Sequence, residues 1–195
     1  AFEPGPDAPT ELGAVLVGAD IHLNWAPGSG GFAPTHYQVY RTDGPGNFVP
    51  VGGPITPNPA GNAFVEANAP ANSTYRVAAA NAFGEQFRST GRPFAAVSLR
   101  IEPAGQTLTV APGAPVPLKA YAVMEAGLDQ PVTYMAGWAS SNPQIPMGSP
   151  MGTMLCDNPG STNVTATFET LNRQETYTVA FQNPSRPSGV RRASR

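Results

Sequence analysis

Apolar and polar residues alternate in short runs along almost the whole chain. Ile21, Leu23 and Trp25 alternate with His22 and Asn24, the period of two expected of a half-buried strand. Tyr37 and Val39 repeat the pattern after a turn cluster at 28–34, residues 48–51 follow Asp43-Gly44-Pro45-Gly46, and Tyr75, Val77 and Ala79 alternate until Asn81 and Gly84 break the run. In the second half Leu99 and Ile101, Leu108 and Val110, then Val116, Leu118, Ala120 and Ala122 form three more runs. Trp138 closes a fourth before Ser140-Ser141-Asn142-Pro143, Val164, Ala166 and Phe168 follow Asn158-Pro159-Gly160, and Tyr177, Val179 and Phe181 end at Asn183-Pro184.

No stretch sustains a 3.6-residue period, and proline recurs too often for long helices. Short strands separated by turn residues at close intervals predict sandwiches or barrels. Each half holds about seven such segments in under a hundred residues, with one Trp apiece, Trp25 and Trp138. That size and spacing predicts an all-β chain of two tandem immunoglobulin-like β-sandwich domains. The expected division is 1–96, 97–184 and a short tail, 185–195. Both indoles are expected to fill the space between facing sheets, where a Trp covers roughly 150–250 Å².

Composition supports a folded, turn-rich chain. The 195 residues include 21 glycines and 23 prolines, a little under a quarter, yet 41% are hydrophobic and 12% charged. The net charge of −2 is unevenly spread. Arg186, Arg191, Arg192 and Arg195 are four of the eleven cationic residues, so residues 1–185 carry seven positive against thirteen negative charges. An acidic body with a basic tail excludes a nucleic-acid binder, which needs a strong basic patch, and suggests a tail that docks on an acidic neighbour within a multi-subunit assembly. No apolar run approaches the ~20 residues of a membrane span. The opening Ala1-Phe2-Glu3-Pro4 fits either a removed initiator Met or a cleaved signal.

The first half resembles a fibronectin type III domain. The resemblance rests on Pro6 and Pro9, Ile21-His22-Leu23-Asn24-Trp25, Tyr37-Gln38-Val39-Tyr40-Arg41, Ser73-Thr74-Tyr75-Arg76-Val77 and Ala80-Asn81-Ala82-Phe83-Gly84-Glu85. It implies that Tyr75 makes the hydrogen bond that locks the corner into its strand, although Ala69 stands where that family has a leucine. The second half resembles a bacterial immunoglobulin-like domain of group 2, as in intimin and invasin proteins and many phage proteins. It does so over Leu99-Arg100-Ile101-Glu102-Pro103, Leu118-Lys119-Ala120, Trp138-Ala139-Ser140-Ser141-Asn142-Pro143, Gly152-Thr153-Met154 and residues 160–166.

Candidate chemistry is sparse. Catalysis needs convergent polar groups in one concavity, and none is suggested. His22 alternates with core residues and is expected to face solvent, and His36 belongs to a different strand, so the two cannot share a metal. Cys156 is the single cysteine, without a base in its half, and reads as a small buried hydrophobe. No cofactor and no metal is expected, and the chain reads as non-enzymatic. Apolar residues in turns are the remaining candidates: Phe32, Met147 and Met151, with Arg186, Arg191, Arg192 and Arg195, are the expected partner contacts. The partners expected are a protein lattice of capsid or tail subunits on a tailed-phage virion surface. The alternative is a secreted bacterial module at the cell surface, binding a surface partner or glycan.

Overall fold

The computed structural model describes residues 5–42, 47–70, 72–126 and 128–182. These contain seventeen strands and no helix. The all-β expectation therefore holds. The arginines at 186, 191, 192 and 195 lie outside the described residues.

The first module has seven strands: β1 (Thr10–Val17), β2 (Asp20–Ala26), β3 (His36–Thr42), β4 (Val49–Ile55), β5 (Asn62–Glu66), β6 (Thr74–Asn81) and β7 (Gly84–Ser89). β1, β2 and β5 form one sheet, and β4-β3-β6-β7 form the other. Alternation decides what lies between them. Leu23 and Trp25 of β2, Tyr37 and Val39 of β3, and Tyr75 and Val77 of β6 are all fully buried. Burying side chains of this size contributes about 1.5–3 kcal/mol each. The Trp25 and Tyr37 rings meet edge-on with centroids 5.5 Å apart, a geometry that sets a ring's positive edge on its neighbour's negative face.

The second module comprises β8 (Phe94–Glu102), β9 (Thr107–Val110), β10 (Ala114–Pro117), β11 (Lys119–Met124), β12 (Gln130–Pro131), β13 (Gly137–Ser140), β14 (Met147–Gly148), β15 (Thr153–Cys156), β16 (Gly160–Phe168) and β17 (Leu171–Phe181). β13-β16-β17-β9 make one sheet, with β9 parallel to β17. β8 pairs antiparallel with β11, and β10 with β15. Ile101, Leu118, Ile145, Met154 and Tyr177 fill the interior. Cys156 is buried there too, and burial pushes its thiol pKa up, so it packs as a small hydrophobe.

Trp138 departs from its expected place. It is half-buried at the margin of this core and donates its indole N–H to the Thr133 carbonyl at 3.0 Å. β13 is an edge strand of only four residues, so the indole caps the core instead of filling it. The middle is taken by Tyr177, whose hydroxyl donates to the Pro103 carbonyl at 2.5 Å.

The two modules are not strung on a linker. The expected division at 96/97 falls inside β8, which pairs in parallel with β1 (Val15↔Phe94, Leu16↔Ala95). One sheet therefore runs β12-β11-β8-β1-β2-β5 through both halves. β1 also faces two interiors at once: Leu12, Ala14 and Leu16 pack on the first core, while Val15 and Val17 pack on the second. A bulge with Glu11 at φ 50° shifts the β1 register between Thr10 and Gly13 and brings Glu11 to Lys119. Gly13 lies so close to the Pro131 carbonyl that a Cβ there would sit 1.9 Å from its oxygen. The Asn24 amide donates to the same carbonyl at 2.8 Å, and the Ala14 N–H donates to Gln130 Oε1 at 3.3 Å.

Candidate interaction surface

The expected contact residue Phe32 sits on the loop between β2 and β3. Three glycines precede it, and they let that loop close on the segment before β1. Gly31 has φ +70°, a Cβ there would lie 2.5 Å from the Gly5 carbonyl oxygen, and the Asp7 N–H donates to the Gly30 carbonyl at 3.3 Å. A side chain at 31 would meet both the backbone and an unfavourable dihedral. The loop so fixed presents Phe32 at 45% exposure beside Phe83, at 54%, from the turn between β6 and β7. Their centroids are 5.8 Å apart.

Behind this aromatic pair is a hollow of about 390 Å³ walled by Pro27, Pro34, Tyr37, Pro57 and Pro59, with Asp7 at its margin. The Tyr37 hydroxyl is buried there without a hydrogen-bond partner, and burial raises its pKa. Its lining offers rings, prolines, glycines, the Ser29 hydroxyl and the Asp7 carboxylate. A hollow lined this way can hold an apolar side chain.

The other expected contacts are scattered. Met147 is half-buried against the second core, paired across the sheet with Met154, so its side chain is turned inward. Met151 is 51% exposed on the following turn. Neither is brought near Phe32.

His22 corrects an expectation. Alternation does place it on the outer side of β2, but the second module covers that side. Its side chain is 15% exposed, with Nδ1 3.4 Å from Glu169 Oε1 and its ring edge-on to Phe168. His36, on the opposite sheet, stands beside Thr35. Among the described residues no group of three or more His, Cys, Asp or Glu could hold a metal ion, and no helix is long and apolar enough to cross a membrane.

The corner implied for Tyr75 is built differently. Its hydroxyl donates to Glu66 Oε2 at 2.6 Å, and Glu66 is paired with Arg41. Burial first, and then the Glu66 carboxylate, raise the Tyr75 pKa well above its ordinary value. Ala69 packs on the core at the position where a leucine is usual.

A second surface was not anticipated from the sequence. Tyr37 and Val39 point inward, so Tyr40 points outward, and it lies directly opposite Arg76 on β6. Phe87 of β7, opposite Ala78, joins the same outer face. The Arg76 guanidinium is held between the Phe48 and Phe87 rings, 4.1 and 3.9 Å from their centroids. Glu85 lies beside Tyr40, whose pKa is raised by burial first and then by that carboxylate. Phe87 is 49% exposed. The missed signal was Arg76, at an outward position of a strand already recognised, and Phe87, on the unread strand β7, linked only once their register is known.

No family model and no curated protein matches this chain. Among solved structures, a chimeric titin Z1Z2 carrying a KLER peptide from decorin is 14% identical over 94% of this chain and 100% of that one, with TM-score 0.33. The titin domains Z1Z2 in complex with telethonin are 12% identical over 93% of this chain and 98% of that one, TM-score 0.30. The chicken CNTN1 FN1-FN3 domains are 11% identical over 91% of this chain and 67% of that one, TM-score 0.37. The β-sandwich assignment stands on the strand order and register given above.

Proposed function

We propose that the chain is a non-enzymatic structural and display subunit, carried on the virion surface of a tailed phage as a capsid decoration or tail-associated protein. On this reading residues 1–96 are a fibronectin type III-like module, 97–184 a group 2 bacterial immunoglobulin-like module and 185–195 an arginine-rich tail. The observation that carries it is the shared sheet. A strand buried on both faces and a sheet running through both modules give one stiff body, and this leaves the Phe32–Phe83 tip free to dock. A spacer that must hold a fixed attitude on a lattice needs that stiffness, because a flexible joint would lose orientation entropy on every docking event.

Capsid or tail subunits would take the aromatic tip, the arginine tail or both. The test is mass spectrometry of purified virions from the phage whose genome encodes the chain, with wild type compared with a Phe32→Ser/Phe83→Ser variant. Expected is the wild-type chain at structural copy number and several-fold less of the variant, with its circular dichroism unchanged. Absence from virions, with the chain recovered instead in the secreted or cell-envelope fraction, would sink this reading and select a bacterial surface or glycan-binding module.

A further inference from the structure

We infer that the outer face of β4-β3-β6-β7 is a self-association surface, and that its occupant is a second copy of this chain placed about a two-fold axis. Three observations support this. The face is apolar where it should be wet: Phe87 is half exposed, with Phe48 and Tyr40 beside it. It carries one charge of each sign, Arg76 and Glu85, and neither has an ion pair among the described residues. Arg76 is nevertheless held in place by two rings, and its Nε is buried without a partner.

The register supplies the geometry. Arg76 lies opposite Ser89, Ala78 opposite Phe87 and Ala80 opposite Glu85. Phe87 therefore stands midway, along the strands, between Arg76 and Glu85. A two-fold axis lying in the face near Phe87 sets Arg76 of each copy over Glu85 of the other and brings the two Phe87 rings together. Such a face complements itself, as a two-fold interface requires. An unrelated partner would have to offer the mirror arrangement of charges, whereas a second copy supplies it automatically.

Size fixes the expected strength. Four strands about 4.8 Å apart, each about six residues long at about 3.3 Å per residue, give a footprint of roughly 400 Å². That is below the roughly 800 Å² per partner of a standard interface, so dissociation constants of about 10–100 μM are expected. Association on a crowded surface would be favoured by effective concentration. The pairing does not depend on whether that surface is a virion.

The experiment is sedimentation equilibrium of the full chain up to about 0.5 mM, several times the expected constant. Wild type should shift reversibly from 20.2 kDa toward twice that mass, and less so in high salt. Arg76→Glu and Glu85→Arg should each weaken the dimer about tenfold or more, and the double variant should restore it, because opposite charges again face each other. Glu85 is exposed, so its variant folds even if Arg76→Glu proves unstable. A chain that stays monomeric, a dimer indifferent to both single variants, or a double variant that remains monomeric overturns the inference.

Discussion

The first sandwich has two outer faces. Gly13, Val15, His22 and Asn24 on β1 and β2 look outward from its core, and so do Tyr40, Arg76 and Phe87 on β3, β6 and β7. On the first face several polar groups point at the second module: Asn24 at the Pro131 carbonyl, His22 at Glu169, the Ala14 N–H at Gln130. On the other face a guanidinium rests between two rings and has no ion pair among the described residues. The covered face is small and matched, with a glycine where a neighbouring backbone comes closest. The open face is bulky and aromatic, with charge left over. A neighbouring backbone comes this close only where the side chain is absent, as at Gly13 of β1, whereas a partner on β6 and β7 would meet bulky side chains.

The sharpest way to break the contrast is Gly13→Val. The new Cβ would sit 1.9 Å from the Pro131 carbonyl oxygen, which is backbone and cannot rotate away. Gly13 has no positive φ, so the substitution tests the contact and not the dihedral. The modules must part locally, and the expected loss is about 3 kcal/mol or more, with calorimetric unfolding splitting into two transitions. Gly53→Ala, where a Cβ meets nothing within 4 Å, is the control and should be neutral. One transition within 1 kcal/mol of wild type for Gly13→Val would mean that the joint is not tight in solution.

A gentler change on the same face is Asn24→Ala. It removes the donor to Pro131 and leaves that part-buried carbonyl without its bond, which costs roughly 1–3 kcal/mol when burial is complete. Asn24 Oδ1 is itself buried without a partner, and deleting it returns part of that cost. The net expectation is about 1 kcal/mol from denaturant midpoints at unchanged slope. A stabilised variant would show that the amide is a burden on the joint.

How much of this was legible follows the same divide. Period-two alternation placed Leu23, Trp25, Tyr37, Val39, Tyr75 and Val77 inside, because one residue's direction fixes its neighbours'. The same rule put His22 outside, correctly as to face and wrongly as to solvent. It could not see that a second module lay there. The clue was present in Leu12-Gly13-Ala14-Val15-Leu16-Val17, a run with no polar side, which is the mark of a strand buried on both faces. Trp138 was overestimated because size was taken as a guide to depth, whereas its four-residue edge strand puts the indole at the rim. Phe32 was read from a turn rich in glycine and proline, but its neighbour Phe83 and the sandwich of Arg76 between Phe48 and Phe87 depend on cross-strand register, which no local pattern encodes.

The smallest effect belongs to the open face. Phe87→Ser removes a half-exposed ring that touches Arg76 and little of the core. The cost is one cation–π contact on a partly solvated surface, about 0.5–1 kcal/mol, offset in part because the exposed apolar surface is no longer in water. Unfolding midpoints are expected to move by under about 0.5 kcal/mol, far less than at Gly13. Solubility in high salt should rise, since salting-out acts on exposed apolar area. If Phe87→Ser were instead as destabilising as Asn24→Ala, the ring would be holding the sheet together, and the open face would have to be regarded as part of the sandwich's structure and not as a surface awaiting a partner.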